Sequence, residues 1–143
     1  MMFTFHHLQV TVPDVYQVED FYDELFGLLG FDVSKKFKGY LPHAEMDVIE
    51  YLSPTFDFGI CSPKKVFAHD TVDSRKPGAL QHLAFKADSR EAIDQIFLQI
   101  KQLDVNILHN EPREYKEKIA PNYYALFFET PDKLRFEIFH YPD

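Results

Sequence analysis

Leu8, Val10 and Val12 alternate with His7, Gln9 and Thr11, a period of two that predicts a strand in the second half of residues 3–12. Pro13-Asp14 closes it, with Asp14 able to cap a helix. From 15 to 29, Val18, Phe21, Tyr22, Leu25, Leu28 and Leu29 recur at helical spacing, and Gly30 stands where a helix stops. The pattern then predicts a strand starting at 31–33, a loop over 40–45 around Pro42, and strands over 46–52 and 55–62 turned at Ser53-Pro54. The order is β-α-β-β-β.

Residues 63–78 are polar and aperiodic, and 66–78 read as a linker between a module at 1–65 and another at 79–143. The second module repeats the first. Leu83, Phe85 and Ala87 alternate with His82, Ala84 and Lys86, then Asp88-Ser89 offers a cap. Ile93, Ile96, Phe97, Ile100 and Leu103 form a helical stripe. Strands are expected at 105–108, 123–128 and 134–140, with a charged loop over 110–121. A shift of 75 positions carries His7 onto His82, Leu8 onto Leu83 and Val10 onto Phe85. The same shift carries Val18, Phe21, Leu25 and Leu28 onto Ile93, Ile96, Ile100 and Leu103. One offset preserves a strand, a cap, a helix and a histidine, so the chain reads as an internal duplication.

Composition narrows the function classes. The 143 residues are 45% hydrophobic and 27% charged, enough for a core without disulfides. Cys61 is the single cysteine, which excludes an internal disulfide framework or a cysteine-based zinc knuckle. The net charge of −8 opposes binding to nucleic acid or anionic lipid. No charged segment leads into an apolar stretch at the N-terminus, and apolar runs fall short of a membrane span. A soluble cytoplasmic protein with no membrane or nucleic-acid partner is the expectation. Phosphate loops, G-x-S-x-G elbows and H-E-x-x-H motifs are lacking.

His7, then Val12-Pro13-Asp14, Phe21-Tyr22 and Leu29-Gly30-Phe31, resembles the opening of the vicinal oxygen chelate superfamily. Gln81-His82-Leu83-Ala84-Phe85 resembles its second-module opening. The run from Tyr123 through Thr130-Pro131-Asp132-Lys133 to Glu137 resembles its final hairpin, with Lys133 where a glycine is usual. The superfamily includes glyoxalase I, bleomycin- and fosfomycin-resistance proteins and extradiol dioxygenases. The resemblance implies an α+β fold of two tandem βαβββ modules, with curled mixed sheets around a cavity and helices outside. It also implies a divalent metal held by the first strand of each module and the last strand of the second. Those strands nominate His7, His82 and Glu137 as ligands, with Glu137 also the catalytic base of a lyase or isomerase reaction.

Strand parity supports the nomination, because all three lie opposite the rows expected to pack on helices. Two imidazoles and a carboxylate suit iron, manganese, zinc or nickel. Many members add a glutamate from the last strand of the first module. Here Gly59 takes that place, unless the register makes Glu50 the match. Gln9, Lys86 and Arg135 share the cavity parity and, with Tyr124, are candidate substrate contacts; Tyr115 and Tyr123 offer further hydroxyls. Residues 111–118 read as a solvated loop or a lid.

The implied function is a metal-dependent glyoxalase- or dioxygenase-like enzyme acting on a small molecule with neighbouring oxygens, as a homodimer. The alternative is a bleomycin-resistance-like binding protein with no obligatory metal.

Overall fold

The computed structural model describes residues 2–116 and 120–143. The chain forms two compact units, residues 1–71 and 72–143. In the first, β1 (His7–Thr11), β2 (Phe37–Leu41), β3 (Met46–Tyr51) and β4 (Asp57–Cys61) make one sheet in the order β1-β4-β3-β2. β1 runs parallel to β4, and the other pairs are antiparallel. The crossover from β1 is α1 (Val15–Leu28).

Both ends of α1 are built as the sequence indicates. Asp14 accepts from the backbone N–H of Tyr16 and Gln17 at 2.9 and 3.2 Å. Gly30 at φ 92° lets Phe31 N–H return to the Phe26 carbonyl at 2.9 Å, closing the helix on a residue without a Cβ penalty. Tyr22, Leu25 and Phe26 are buried against the row Ile49, Tyr51, Phe58 and Ile60. The Phe26 ring lies 4.8 Å from each of Phe31, Tyr51 and Phe58.

The expected strand at 31–33 is not there. Phe31 is drawn into the core, and Asp32 caps a 3-10 turn over Val33–Lys35 through Ser34. The strand comes later, at Phe37–Leu41, and its last two residues, Tyr40 and Leu41, fall in the expected loop. It is an edge strand whose charge hides its pattern. Lys38 Nζ reaches Glu19 of α1 at 2.6 Å, and Lys36 bridges Glu19 and Asp23 at 2.8 and 2.7 Å. A lysine on an edge strand, here Lys38, also discourages pairing with other chains.

The second unit repeats the plan with β5 (Leu83–Lys86), α2 (Arg90–Ile100), β6 (Asn106–Glu114), β7 (Tyr124–Glu129) and β8 (Arg135–His140). Its sheet order is β5-β8-β7-β6, and β5 runs parallel to β8. Ser89 caps α2 by accepting from Ala92 N–H at 3.1 Å. Ile93 and Ile100 are buried with Leu126, Phe128, Phe136 and Ile138. Phe136 stacks near-parallel on Phe85 and Phe128, at 9° and 11°.

β6 runs well past the four residues expected. His109 and Asn110 take left-handed φ of 60° and 72°, making a bulge after which pairing with β7 resumes at Arg113 and Ala125. Much of the stretch read as a charged loop is therefore strand, and Glu117 and Lys118 of the expected lid lie outside the described residues. No helix among the described residues is long and apolar enough to cross a membrane.

Candidate metal-ligand site

The register of the second sheet sorts its side chains. Leu83, Phe136 and Phe128 form a row on the α2 side, as do Phe85, Ile138 and Leu126. Ala84, Glu137 and Phe127 line up on the opposite face. Glu137 is only 2% exposed, yet its carboxylate has two partners. Oε2 lies 3.1 Å from His82 Nε2, and Oε1 accepts a hydrogen bond from the Tyr123 hydroxyl. The other ring nitrogen of His82, Nδ1, faces Gln81 Oε1. A neutral imidazole donating from Nδ1 to Gln81 presents its lone pair at Nε2.

Two donors bound to one ion at about 2.0–2.1 Å, subtending a tetrahedral or octahedral angle, stand about 2.9–3.4 Å apart. The 3.1 Å between His82 Nε2 and Glu137 Oε2 fits that requirement. Their outer atoms, Nδ1 and Oε1, are the ones engaged by protein, which is how ligands to a metal are normally oriented. The donors therefore suit a divalent ion. No group of three or more His, Cys, Asp or Glu side chains able to hold a metal is gathered among the described residues.

Aromatic rings frame the pair. Phe127 meets His82 edge-on at 6.4 Å. Tyr123 stacks on Phe139 at 5.1 Å and 8°, and Phe139 stacks on Tyr141 at 5.9 Å. Burial, then the hydrogen bond to Glu137, pushes the Tyr123 pKa well above the usual phenol value, so the hydroxyl stays a donor.

The remaining candidates of this unit are engaged elsewhere. Lys86 reaches Asp143 at 2.7 Å and sits 4.6 Å over the Tyr141 ring. Arg135 pairs with Glu129 at 3.3 Å. Tyr124 lies on the α2 side, donating to Asp94 at 2.6 Å beneath Arg90. Its neighbour Tyr123 is the tyrosine at Glu137. Strand parity separates the two tyrosines, because 123 shares a face with Phe127. Gln81 had only its place beside His82 as a signal.

Tyr115 is buried edge-on to Phe127 at 5.3 Å, and its hydroxyl has no hydrogen-bond partner among the described residues. Leaving a buried polar group unsatisfied costs about 1–3 kcal/mol. Tyr115→Phe is therefore expected to hold or raise the urea midpoint; a clear drop would mean that the hydroxyl finds a partner in solution.

In the first unit, His7 is exposed with its Nδ1 3.1 Å from that of His6. Gln9 Nε2 donates to Glu50 Oε1 at 2.7 Å, and both residues flank Gly59 in register. The bond passes over the glycine: a Cβ there would meet Gln9 Cγ at 2.8 Å and Glu50 Cγ at 3.4 Å. Gly59 is on β4, the strand corresponding to β8, and holds the place between its neighbours that Glu137 holds between Ala84 and Phe127. Glu50 belongs to β3. A hollow lined by Asp14, Tyr16, Tyr40, Asp47 and Lys64 also lies in this unit and includes none of the candidate residues.

The likeness to known proteins covers nearly the whole chain. A curated relative, the uncharacterized protein YqjT of Bacillus subtilis (strain 168), is 23% identical over 133 residues, which are 93% of this chain and 95% of that one. A crystal structure of a Bacillus halodurans protein provisionally named a glyoxalase is 25% identical, with TM-score 0.76 over 98% of this chain and 97% of its own. A glyoxylase/bleomycin resistance protein/dioxygenase domain from Frankia sp. EAN1pec also superposes at TM-score 0.76, with 18% identity, covering 99% of this chain and 100% of its own. The family model for glyoxalase, bleomycin resistance protein and dioxygenase matches residues 4–138. With the duplicated sheets and the match across both units, the chain belongs to the glyoxalase/bleomycin resistance protein/dioxygenase superfamily.

Proposed function

We propose that the protein is a metal-dependent enzyme of the vicinal-oxygen-chelate type, acting on a small molecule with two neighbouring oxygens as a lyase, isomerase or dioxygenase. The observation that carries the reading is the His82 Nε2–Glu137 Oε2 approach at 3.1 Å, with both outer atoms held by protein. His82 and Glu137 would hold the ion, with His7 as the third ligand that the resemblance implies. A bound divalent ion would act as a Lewis acid on the paired substrate oxygens. In a lyase or isomerase reaction Glu137 is the base.

Titration of metal-free protein with manganese, nickel, zinc and anaerobic ferrous ion, followed by calorimetry, tests the reading. Saturable uptake of one ion per chain is the expected result. Failure of all four to bind would overturn it.

One observation favours a second reading. Glu137 already accepts from the Tyr123 hydroxyl without an ion, and Tyr123, Phe139 and Tyr141 form a ring stack suited to a planar organic ligand. A binding protein of the bleomycin-resistance kind would take such a ligand while taking up none of the four metals.

A further inference from the structure

Glu137 has two oxygens, and the protein treats them differently. Oε1 accepts from the Tyr123 hydroxyl, and Oε2 is the atom beside His82 Nε2. The hand that makes the difference is itself fixed. Tyr123 stacks on Phe139 at 5.1 Å and 8°, and on Tyr141 at 5.8 Å and 22°. A ring held this way can move its hydroxyl little, so it sets the carboxylate's rotation about its terminal bond. A carboxylate with both oxygens free could turn, or grip an ion through both at once.

We propose that Tyr123 is the positioning residue of the site: by holding Oε1 it makes Glu137 a one-oxygen ligand through Oε2. The inference rests on the metal reading above and adds a specific role for a residue outside the three proposed ligands. One-oxygen coordination leaves a position on the ion that a two-oxygen grip would fill, and a substrate chelating through neighbouring oxygens needs two such positions. Tyr123 thus acts through Glu137, touching neither ion nor substrate.

The test is cobalt(II) titration of metal-free wild type and Tyr123→Phe, read by calorimetry and by the visible d–d spectrum of the loaded site. The phenylalanine keeps the ring and its stack, so matching thermal melts establish that the variant is folded. The expected result is binding weakened about ten- to a hundred-fold, the usual effect of losing a hydrogen bond to a ligand. A changed d–d band should accompany it, because the coordination of Glu137 changes. A merely structural tyrosine would leave the spectrum unaltered. Wild type that binds cobalt, with a variant matching it in both affinity and spectrum, would overturn this inference and spare the metal reading. Wild type that binds no cobalt, manganese, nickel, zinc or ferrous ion would overturn both.

Discussion

Glu137→Ala is expected to lower the affinity for a divalent ion by more than about 100-fold, beyond the ten- to hundred-fold typical of losing a supporting hydrogen bond. The side chain is 2% exposed, and its carboxylate accepts from the hydroxyl of Tyr123 and lies 3.1 Å from Nε2 of His82. Removing it deletes a proposed ligand and also strips the Tyr123 hydroxyl of an acceptor. The second effect should cost about 1–3 kcal/mol of stability, visible in a urea melt. His82→Ala should match the metal loss with a smaller stability cost, since its side chain is 37% exposed. Glu50→Ala supplies the contrast: Glu50 is hydrogen bonded to Gln9 over Gly59, and its loss should leave metal uptake near wild type. Calorimetric titration decides the matter. Equal loss from Glu50→Ala and Glu137→Ala would move the acid of the site to β3 and refute the assignment.

Phe26→Ala should cost about 3–5 kcal/mol, the range for emptying a buried phenylalanine site. Phe26 is 0% exposed and lies at the meeting of three rings, Phe31, Tyr51 and Phe58, each 4.8 Å away. The neighbours sit on three different segments, so the cavity cannot close by moving one of them. Phe26 also supplies the carbonyl that ends α1 against Phe31 N–H, which ties the helix terminus to the same core. Phe26→Leu keeps most of the volume and should cost roughly half as much. Urea denaturation followed by circular dichroism reads both. A cost below about 1 kcal/mol for the alanine would mean that the first unit repacks freely around the hole.

Most of the fold was legible where periodicity and punctuation agree. Leu8-Val10-Val12 and Leu83-Phe85 alternate, Asp14 and Ser89 cap, Gly30 stops, and each of those positions has the role that the pattern predicts. Illegible were the segments whose geometry depends on partners distant in sequence. β2 carries Lys38 because Glu19 of α1 waits for it, and no local pattern reveals that. The continuation of β6 past His109 depends on a left-handed bulge and on pairing with β7.

The candidate site divides the same way. The duplicated histidine positions and the parity of Glu137 are properties of the chain itself, because period-two alternation assigns a face before any strand has a neighbour. Those, with the family resemblance, came from the sequence alone. Which side chains actually meet was decided by tertiary structure. Strand register brings Glu137 beside Phe127 and Ala84, sends Tyr124 to Asp94, turns Tyr123 onto the Glu137 carboxylate, and commits Lys86 and Arg135 to acidic partners. Alternation fixes the direction of a side chain to within a face. Hydrogen-bond partners are chosen by register between strands far apart in sequence, a quantity that the chain specifies only once it has folded.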